Sequence, residues 1–375
     1  MTGAGRYVVE LARRLPAFAD DLTIHVLLRP SVRTTLIPMM LADAGVELHY
    51  LDVAIASARQ WVAIPWFLSR LHPHLYHYPF ADLPYVPCPA VVTVYDLNHI
   101  LHPQYFSSFR LLKQIAGRML TASTLRRVSA AFAISEETRR LITSQYPAWS
   151  SKIRTIPLGV DVEDWQDKTT NSEVGEDATF RTPLWGSRSY FLYVGVDRPH
   201  KNLQRLVRSF ARFRRAHGWE GSTGPYLWLA GVGKGSPQLQ CEILAMSLER
   251  DVRLNGVLSD AHLRKAYGNA IAMAYVSTSE GFGLPILEAF AAGVAVVTAN
   301  TSSMPEVGGD AVLYVDPEDE VGISEALSRV WTDEGLRKRL IIRGRERSAQ
   351  FSWESTARAT AEAYHDVLRL ATATR

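Results

Sequence analysis

Two glutamates eight positions apart, Glu280 and Glu288, enclose a glycine–aromatic–glycine turn and a proline in "STSEGFGLPILEAFAAG", residues 277–293. The apolar run "IAMAYVS" that leads into the stretch reads as a buried strand. Gly281 and Gly283 suit a tight turn or a close approach of backbone to something above it. Pro285 fits the first position of a helix, where its missing N–H costs nothing, and Gly293 ends that helix. The unit is strand, glycine loop and short helix, with Glu280 in the loop and Glu288 about one turn into the helix. Free N–H groups and the positive end of the helix dipole favour an anion such as phosphate above the loop. Paired carboxylates across a tight turn suit two sets of sugar hydroxyls better than they suit phosphate. The same residues would also serve as an ordinary strand-to-helix turn with two solvated carboxylates, and a bare Gly-x-Gly does not choose between the two.

A second set of candidates follows the run "YFLYVGVDRPHKNLQRLVRSF". It reads as a strand, a turn and a helix with Leu203, Leu206, Val207 and Phe210 on one face. Arg198 and Lys201 in the turn would meet a diphosphate, Lys201 as a point charge and Arg198 as a planar fork. In "AVVTVYDLNHILHP" a strand ends on Tyr95, Asp96, Asn98 and His99. Asp96 there either caps the next turn or handles sugar hydroxyls and a proton. Ser135 in "FAISEETRRLI" reads as the N-cap of a helix. Between Leu97 and Ser135 there is no acidic residue, while Arg110, Lys113, Arg118, Arg126 and Arg127 recur among apolar side chains. That stretch is either a solvated basic face or a surface that meets anionic lipid or a phosphate-bearing acceptor.

Strand and helix signals alternate from end to end, the pattern of parallel sheets flanked by helices. Six strand-like runs precede a polar, acidic stretch and six follow it. The 375 residues therefore divide into a first domain at 1–163, a linker at 164–188 and a second domain at 189–350. A final helix at 351–375 either crosses back onto the first domain or caps the second. Two doubly wound domains place the carboxyl ends of their sheets around a cleft. The 41 basic and 38 acidic residues give a net charge of +3, too mild for a nucleic-acid partner. Cys88 and Cys241 have no metal-like spacing, which points to a reducing, cytoplasmic setting. No Gly-x-Gly-x-x-Gly follows a first strand with an acidic residue about twenty positions on, so a dinucleotide-dependent oxidoreductase is disfavoured.

Taken together, "GAGRYVVELARRL", "VVTVYDLNHILHP", "FAISEETRRLI", "IPLGVD", "YVGVDRPHKNL", "VRLNGVLSDAHLRKAY" and "SEGFGLPILEAFAAGVAVVTA" resemble the family 4 glycosyltransferases of the GT-B fold, bacterial mannosyltransferase-like members in particular. "EGFGLPILEA" matches that family's Glu-x7-Glu motif. The resemblance implies an α/β protein of two Rossmann-like domains facing a cleft. It implies a retaining, metal-independent hexosyltransferase without cofactor, whose donor is a nucleoside diphosphate sugar, GDP-mannose first. The acceptor would be a glycan or a lipid-linked glycan in envelope polysaccharide synthesis, with peripheral contact at the inner face of the plasma membrane. Carried over by position, Glu280 holds the donor hexose and Glu288 the ribose. The backbone at Gly281, Phe282, Gly283 and Leu284 faces sugar and diphosphate, and Lys201 with Arg198 neutralises the leaving group. Gly3 and Gly5 form a facing glycine loop, Gly256, Val257 and Leu258 meet the base, and Asp96 is catalytic, with Tyr95, Asn98 and His99 on the acceptor side. Tyr95 stands where the family commonly has His, and Val196 where many members have Arg. A sugar-nucleotide epimerase and a catalytically weak sugar-binding scaffold are the alternatives.

In the resembling family an apolar first strand precedes the glycine loop, whereas "MTGAGRYVVELARRL" runs from that loop straight into a helix. The expectation is a natural start further upstream, adding roughly five to eight mainly apolar residues. The first strand of a doubly wound sheet is central, so without it two neighbouring strands lose a backbone partner.

Overall fold

The computed structural model describes residues 3–55, 57–101, 110–166, 188–221 and 223–373, without the side chains of His99 and residues 110–113. The chain forms two compact units, residues 1–159 with 352–375, and residues 160–351. The division corrects the expected boundary. Residues 160–163 belong to the second unit, and the final helix belongs to the first, the crossing-back alternative. Most of the expected linker lies outside the described residues.

In the first unit the strands are β1 (His25–Leu28), β2 (Glu47–Tyr50), β3 (Tyr76–Tyr78), β4 (Ala90–Val94), β5 (Ala130–Ala133) and β6 (Ile153–Thr155). Its helices are α1 (Gly3–Arg14), α2 (Ile37–Asp43), α3 (Gln60–Leu71), α4 (Asn98–Leu101), α5 (Arg110–Arg127) and α6 (Glu136–Gln145). The strands are all parallel but form two sheets, β1–β2 and β3–β4–β5–β6. Among the described residues β1 pairs only with β2 and β3 only with β4. A cavity of about 540 Å³ lies against β1 and β3, lined among others by Ile24, Val26, Leu27, Tyr76 and His77.

The second unit holds α7 (Val162–Gln166), then β7 (Tyr190–Val194), α8 (Leu203–Ala216), β8 (Tyr226–Ala230), α9 (Pro237–Ala245), β9 (Val252–Asn255) and α10 (Asp260–Gly268). It continues through β10 (Ala272–Tyr275), α11 (Leu284–Ala291), β11 (Ala295–Ala299), α12 (Met304–Gly308), β12 (Leu313–Val315), α13 (Glu320–Thr332) and α14 (Glu334–Ser348). Its single sheet runs β12–β11–β10–β7–β8–β9, all parallel. Every residue of β8 and β11 is buried, as expected of strands covered by helices on both faces. On α8 the predicted stripe of Leu203, Leu206, Val207 and Phe210 is buried.

The last helix, α15 (Trp353–Ala373), docks on the first unit. Thr356 donates to the carbonyl of Pro157 at 2.7 Å, Arg154 pairs with Asp366 at 2.6 Å and Arg14 with Glu354 at 3.0 Å. A Cβ at Gly159 would stand 2.2 Å from backbone atoms of Ser352 and Trp353, so only glycine allows this approach. Below the helix a chain of polar groups, buried at Tyr7, Thr93 and Tyr364 and half-buried at His77, crosses the unit. His77 Nδ1 lies 2.6 Å from the Tyr364 hydroxyl, His77 Nε2 2.8 Å from Thr93 Oγ1, and Thr93 Oγ1 2.9 Å from the Tyr7 hydroxyl.

Burial pushes the His77 imidazole down to about 3, so the folded unit holds it neutral. The unfolded chain takes up a proton below its ordinary value of about 6.5, and the folded one does not until far lower pH. Stability from this group is therefore present above about 6.5 and is lost as pH falls, by about 1.4 kcal/mol per pH unit. From neutral pH to pH 5, opening of β3 and β4, read by amide hydrogen exchange, becomes easier by about 2 kcal/mol in the native protein. The His77→Gln variant lacks this increment, and an identical pH response in both proteins would refute the assignment.

Candidate active site

The order of strands in the second unit reverses between β7 and β10, and the loops that leave their carboxyl ends are neighbours. Such a switch point is where a crevice opens in an open α/β sheet. The β7 loop carries Arg198 and Lys201, and the β10 loop carries Glu280, so the fold brings together residues 79 apart in sequence.

Lys201 Nζ donates to both oxygens of Glu280, at 2.7 and 2.8 Å, and to the Tyr275 hydroxyl at 3.1 Å. Both charged side chains are largely buried, with 13% and 10% of their surface exposed. Burial alone would raise the Glu280 carboxyl, but the charge and hydrogen bonds of the Lys201 ammonium bring it below the usual range. Glu280 is accordingly ionised at neutral pH. It can accept hydrogen bonds and stabilise positive character, and it does not serve as a proton donor. Burial and the nearby Glu280 charge hold the phenols of Tyr193 and Tyr275 well above their ordinary value, so both remain protonated. The two rings stack with centroids 6.0 Å apart beneath the pair.

The loops are braced from residues that local spacing does not reveal. Ser302 Oγ accepts from the Glu280 N–H at 3.1 Å and donates to its carbonyl at 2.6 Å. Ser303 Oγ lies 2.9 Å from the carbonyls of both Glu280 and Phe282. Asn202, buried and left-handed at φ 60°, donates to the carbonyls of Val276 and Pro317 at 3.0 and 2.7 Å. The Thr278 N–H donates to the His200 carbonyl at 2.8 Å, tying the two loops directly. Gly283 has φ 103°, a conformation that favours glycine, and leads into α11. Pro285 is the second helical residue, one later than expected. The Phe282 ring is buried edge-on against Phe351.

Glu288 sits on α11 with 5% exposure, and its Oε2 accepts from the Tyr267 hydroxyl at 3.0 Å. Trp165 on α7 packs edge-on against Tyr267 at 5.2 Å, which explains why the start of the expected linker belongs to this unit. Arg198 is exposed and makes no side-chain hydrogen bond or ion pair among the described residues. Gly256 accepts from the Gly231 N–H through its carbonyl at 3.1 Å, and Val257 after it is 79% exposed, with Leu258 half-buried.

The first unit corrects the expected glycine loop and places the other candidates. Gly3 and Gly5 lie in the first turn of α1 and form no loop, because the strong amphipathic pattern that buries Tyr7 and Leu11 carries the helix to its first described residue. Asp96 Oδ1 accepts from the Asn98 N–H at 2.8 Å and so caps the turn. The Tyr95 hydroxyl is buried with no hydrogen-bond partner among the described residues, its ring 5.8 Å from those of Tyr7 and Phe80. Asn98 is buried, and the His99 side chain lies outside the description. Ser135 is an N-cap, accepting from the Thr138 N–H at 3.0 Å. On α5, Arg127 is spent on the carbonyls of Leu83 and Pro84, and Arg118 donates to Gln145.

Comparison with known proteins gives this geometry a class. Residues 1–164 match the model for Glycosyltransferase Family 4, and residues 176–347 match that for Glycosyl transferases group 1. The chain belongs to the family 4 glycosyltransferases and has their two-domain GT-B fold. It is 29% identical to O-antigen chain mannosyltransferase B of Escherichia coli, over 97% of this chain and 96% of that one. Its fold resembles sucrose-phosphate synthase of Thermosynechococcus elongatus, with TM-score 0.75, 18% identity and coverage of 98% and 94% of the two chains. It also resembles WaaG, a glycosyltransferase involved in lipopolysaccharide biosynthesis, with TM-score 0.73, 14% identity and coverage of 97% and 96%.

Proposed function

We propose that this glycosyltransferase moves a hexose, mannose first, from a nucleoside diphosphate sugar to a glycan or lipid-linked acceptor in polysaccharide synthesis. The reaction retains configuration and needs no metal. The observation that carries this reading is the buried Lys201–Glu280 pair at the switch point of the second unit. The mannosyltransferase relative, similar over nearly its whole length, supports the sugar and the pathway class.

As the glycosidic C–O bond breaks, negative charge grows on the diphosphate and positive character on the sugar ring. Preorganised groups of opposite sign lower that barrier without reorganising. Lys201, joined by Arg198, meets the leaving diphosphate, and the Glu280 carboxylate accepts from the hexose hydroxyls. Glu288 holds the ribose, while the acceptor attacks from the leaving-group face with a phosphate oxygen as base. Exposed Ile115 and Met119 on α5 support a peripheral contact with anionic lipid.

A thermal-stability screen with several sugar nucleotides tests the donor, since one present at 100 times its Kd stabilises by roughly 2.7 kcal/mol. GDP-mannose is the expected hit, and a response to another donor alone would reassign the sugar. Glu288→Ala weakens the donor and free GDP alike, by about tenfold to a hundredfold. Unchanged GDP affinity would remove Glu288 from the ribose. Transfer continues in EDTA, and strict dependence on added Mg²⁺ or Mn²⁺ would overturn the metal-free mechanism.

A further inference from the structure

The two-stranded sheet of the first unit carries a cluster that the reaction does not use. Across β1 and β2, His25 is the partner of Glu47 and Leu27 that of His49, so all three functional side chains rise from the same face. His25 Nδ1 lies 3.0 Å from His49 Nε2 and 3.1 Å from Glu47 Oε2. The three ligand atoms are all within 4.8 Å of one another. His25 Nδ1 carries one hydrogen at most. If it donates, two lone-pair atoms compete for that hydrogen; if it accepts from His49, its own lone pair faces a carboxylate. A cation in the hydrogen's place would serve all three atoms at once.

We propose that His25, Glu47 and His49 bind one divalent transition-metal ion, Zn²⁺ first, which pins β1 to β2. Around a tetrahedral Zn²⁺ with ligands at about 2.0–2.1 Å, the ligand atoms stand roughly 3.4 Å apart. The two separations from His25 are close to that spacing, and the third, within 4.8 Å, reaches it by side-chain adjustment. Imidazole nitrogens with one carboxylate suit Zn²⁺, Ni²⁺ or Cu²⁺ and disfavour Mg²⁺ and Ca²⁺. The ring of His49 is held edge-on by Phe67 at 5.3 Å, which limits its rotation, while His25 and Glu47 are exposed and leave room for water to complete the coordination. A two-stranded sheet is marginal by itself, and an ion that binds only the folded arrangement stabilises it by mass action. None of the three residues lies in a loop that carries candidate reaction groups, so the ion acts on stability and not on transfer.

The test is calorimetric titration of the untagged full chain, stripped with chelator and desalted, with ZnCl₂ and separately with MgCl₂ near neutral pH. One Zn²⁺ per chain binds with a micromolar or lower Kd, and Mg²⁺ gives no saturable heat. Loss of a partner behind a ligand costs about 10- to 100-fold in affinity, so loss of a ligand itself in His49→Ala costs at least tenfold. Glu47→Gln, which keeps the side-chain shape, weakens binding in the same direction and carries the test if circular dichroism shows His49→Ala misfolded. Absence of saturable one-to-one Zn²⁺ binding would overturn the proposal. So would one-to-one binding that both variants retain unchanged.

Discussion

Replacement of Glu280 by alanine lowers kcat about 100- to 1,000-fold, and the Lys201→Ala/Glu280→Ala double variant is little slower than either single one. The reason is the geometry of the pair. Lys201 Nζ is held by both oxygens of Glu280 and by Tyr275, in a position with 13% exposure. Without the carboxylate the ammonium loses its counter-charge, and it leaves the place where it would meet the departing diphosphate. Without the lysine, the burial of Glu280 loses its main offset, its carboxyl rises, and the fixed negative charge proposed to meet the sugar weakens. Two residues that position each other act as a unit, and their losses do not multiply. Glu280→Gln keeps a hydrogen-bond acceptor without the charge and falls between native and alanine. Lys201→Arg does not rescue, because a planar fork cannot reproduce a point charge seated between two carboxylate oxygens and a phenol. Steady-state kcat and KM for the donor in the four proteins of the cycle decide the matter. Losses that multiply in the double variant would show that the two side chains contribute independently.

The pair also marks where sequence reading stops. All twelve strand-like runs form strands; β4, β5, β8, β10 and β11 are buried along their whole length, as strands covered by helices are, whereas β2 has no buried residue. Lys201, Glu280 and Glu288 were legible as candidates because glycines, a proline and the ends of apolar runs locate the loops after strands. Their partners were not. Tyr275 reads as one more buried strand residue, and Ser302 and Ser303 carry no signal of their own. Their hydroxyls instead brace a loop some twenty residues earlier, a contact created by the adjacency of β10 and β11. The resemblance misplaced Gly3 and Gly5 because glycine permits a loop without requiring one, and the apolar face of α1 decided for helix. Tyr95 was placed on the acceptor side by the resemblance, and its hydroxyl is buried beside Tyr7 from α1, a long-range contact with no local signature.

The largest loss of stability belongs to Asp251. It lies just before β9 with 4% exposure, between two guanidinium groups, Arg188 at 2.6 Å and Arg214 at 3.2 Å. The same arginines hold the chain that enters β8. Arg214 donates to the carbonyls of Gly221, Thr223 and Pro225 at 2.8–2.9 Å, and Arg188 donates to that of Gly224 at 3.0 Å. Asp251→Ala leaves a guanidinium with 4% exposure beside a second one, with their common counter-ion removed. Breaking a buried pair in this way costs about 3–5 kcal/mol, and for a unit of this size each kcal/mol lowers Tm by roughly 2–4 °C. The expected fall is therefore about 6–20 °C. Arg188, Gly221, Thr223, Pro225 and Asp251 all precede strands β7, β8 and β9, so the network lies at the amino ends of the sheet. Lys201, Glu280 and Gly256 follow strands and lie at the carboxyl ends. Stability and transfer should accordingly separate: well below its lowered Tm, Asp251→Ala keeps native kcat and donor KM. Scanning calorimetry with assays in the cold, on protein shown folded by circular dichroism, tests both halves. A Tm shift below about 2 °C would mean that water or rearrangement replaces the counter-ion. A collapse of kcat in the folded variant would mean that strain at one end of this sheet reaches the other.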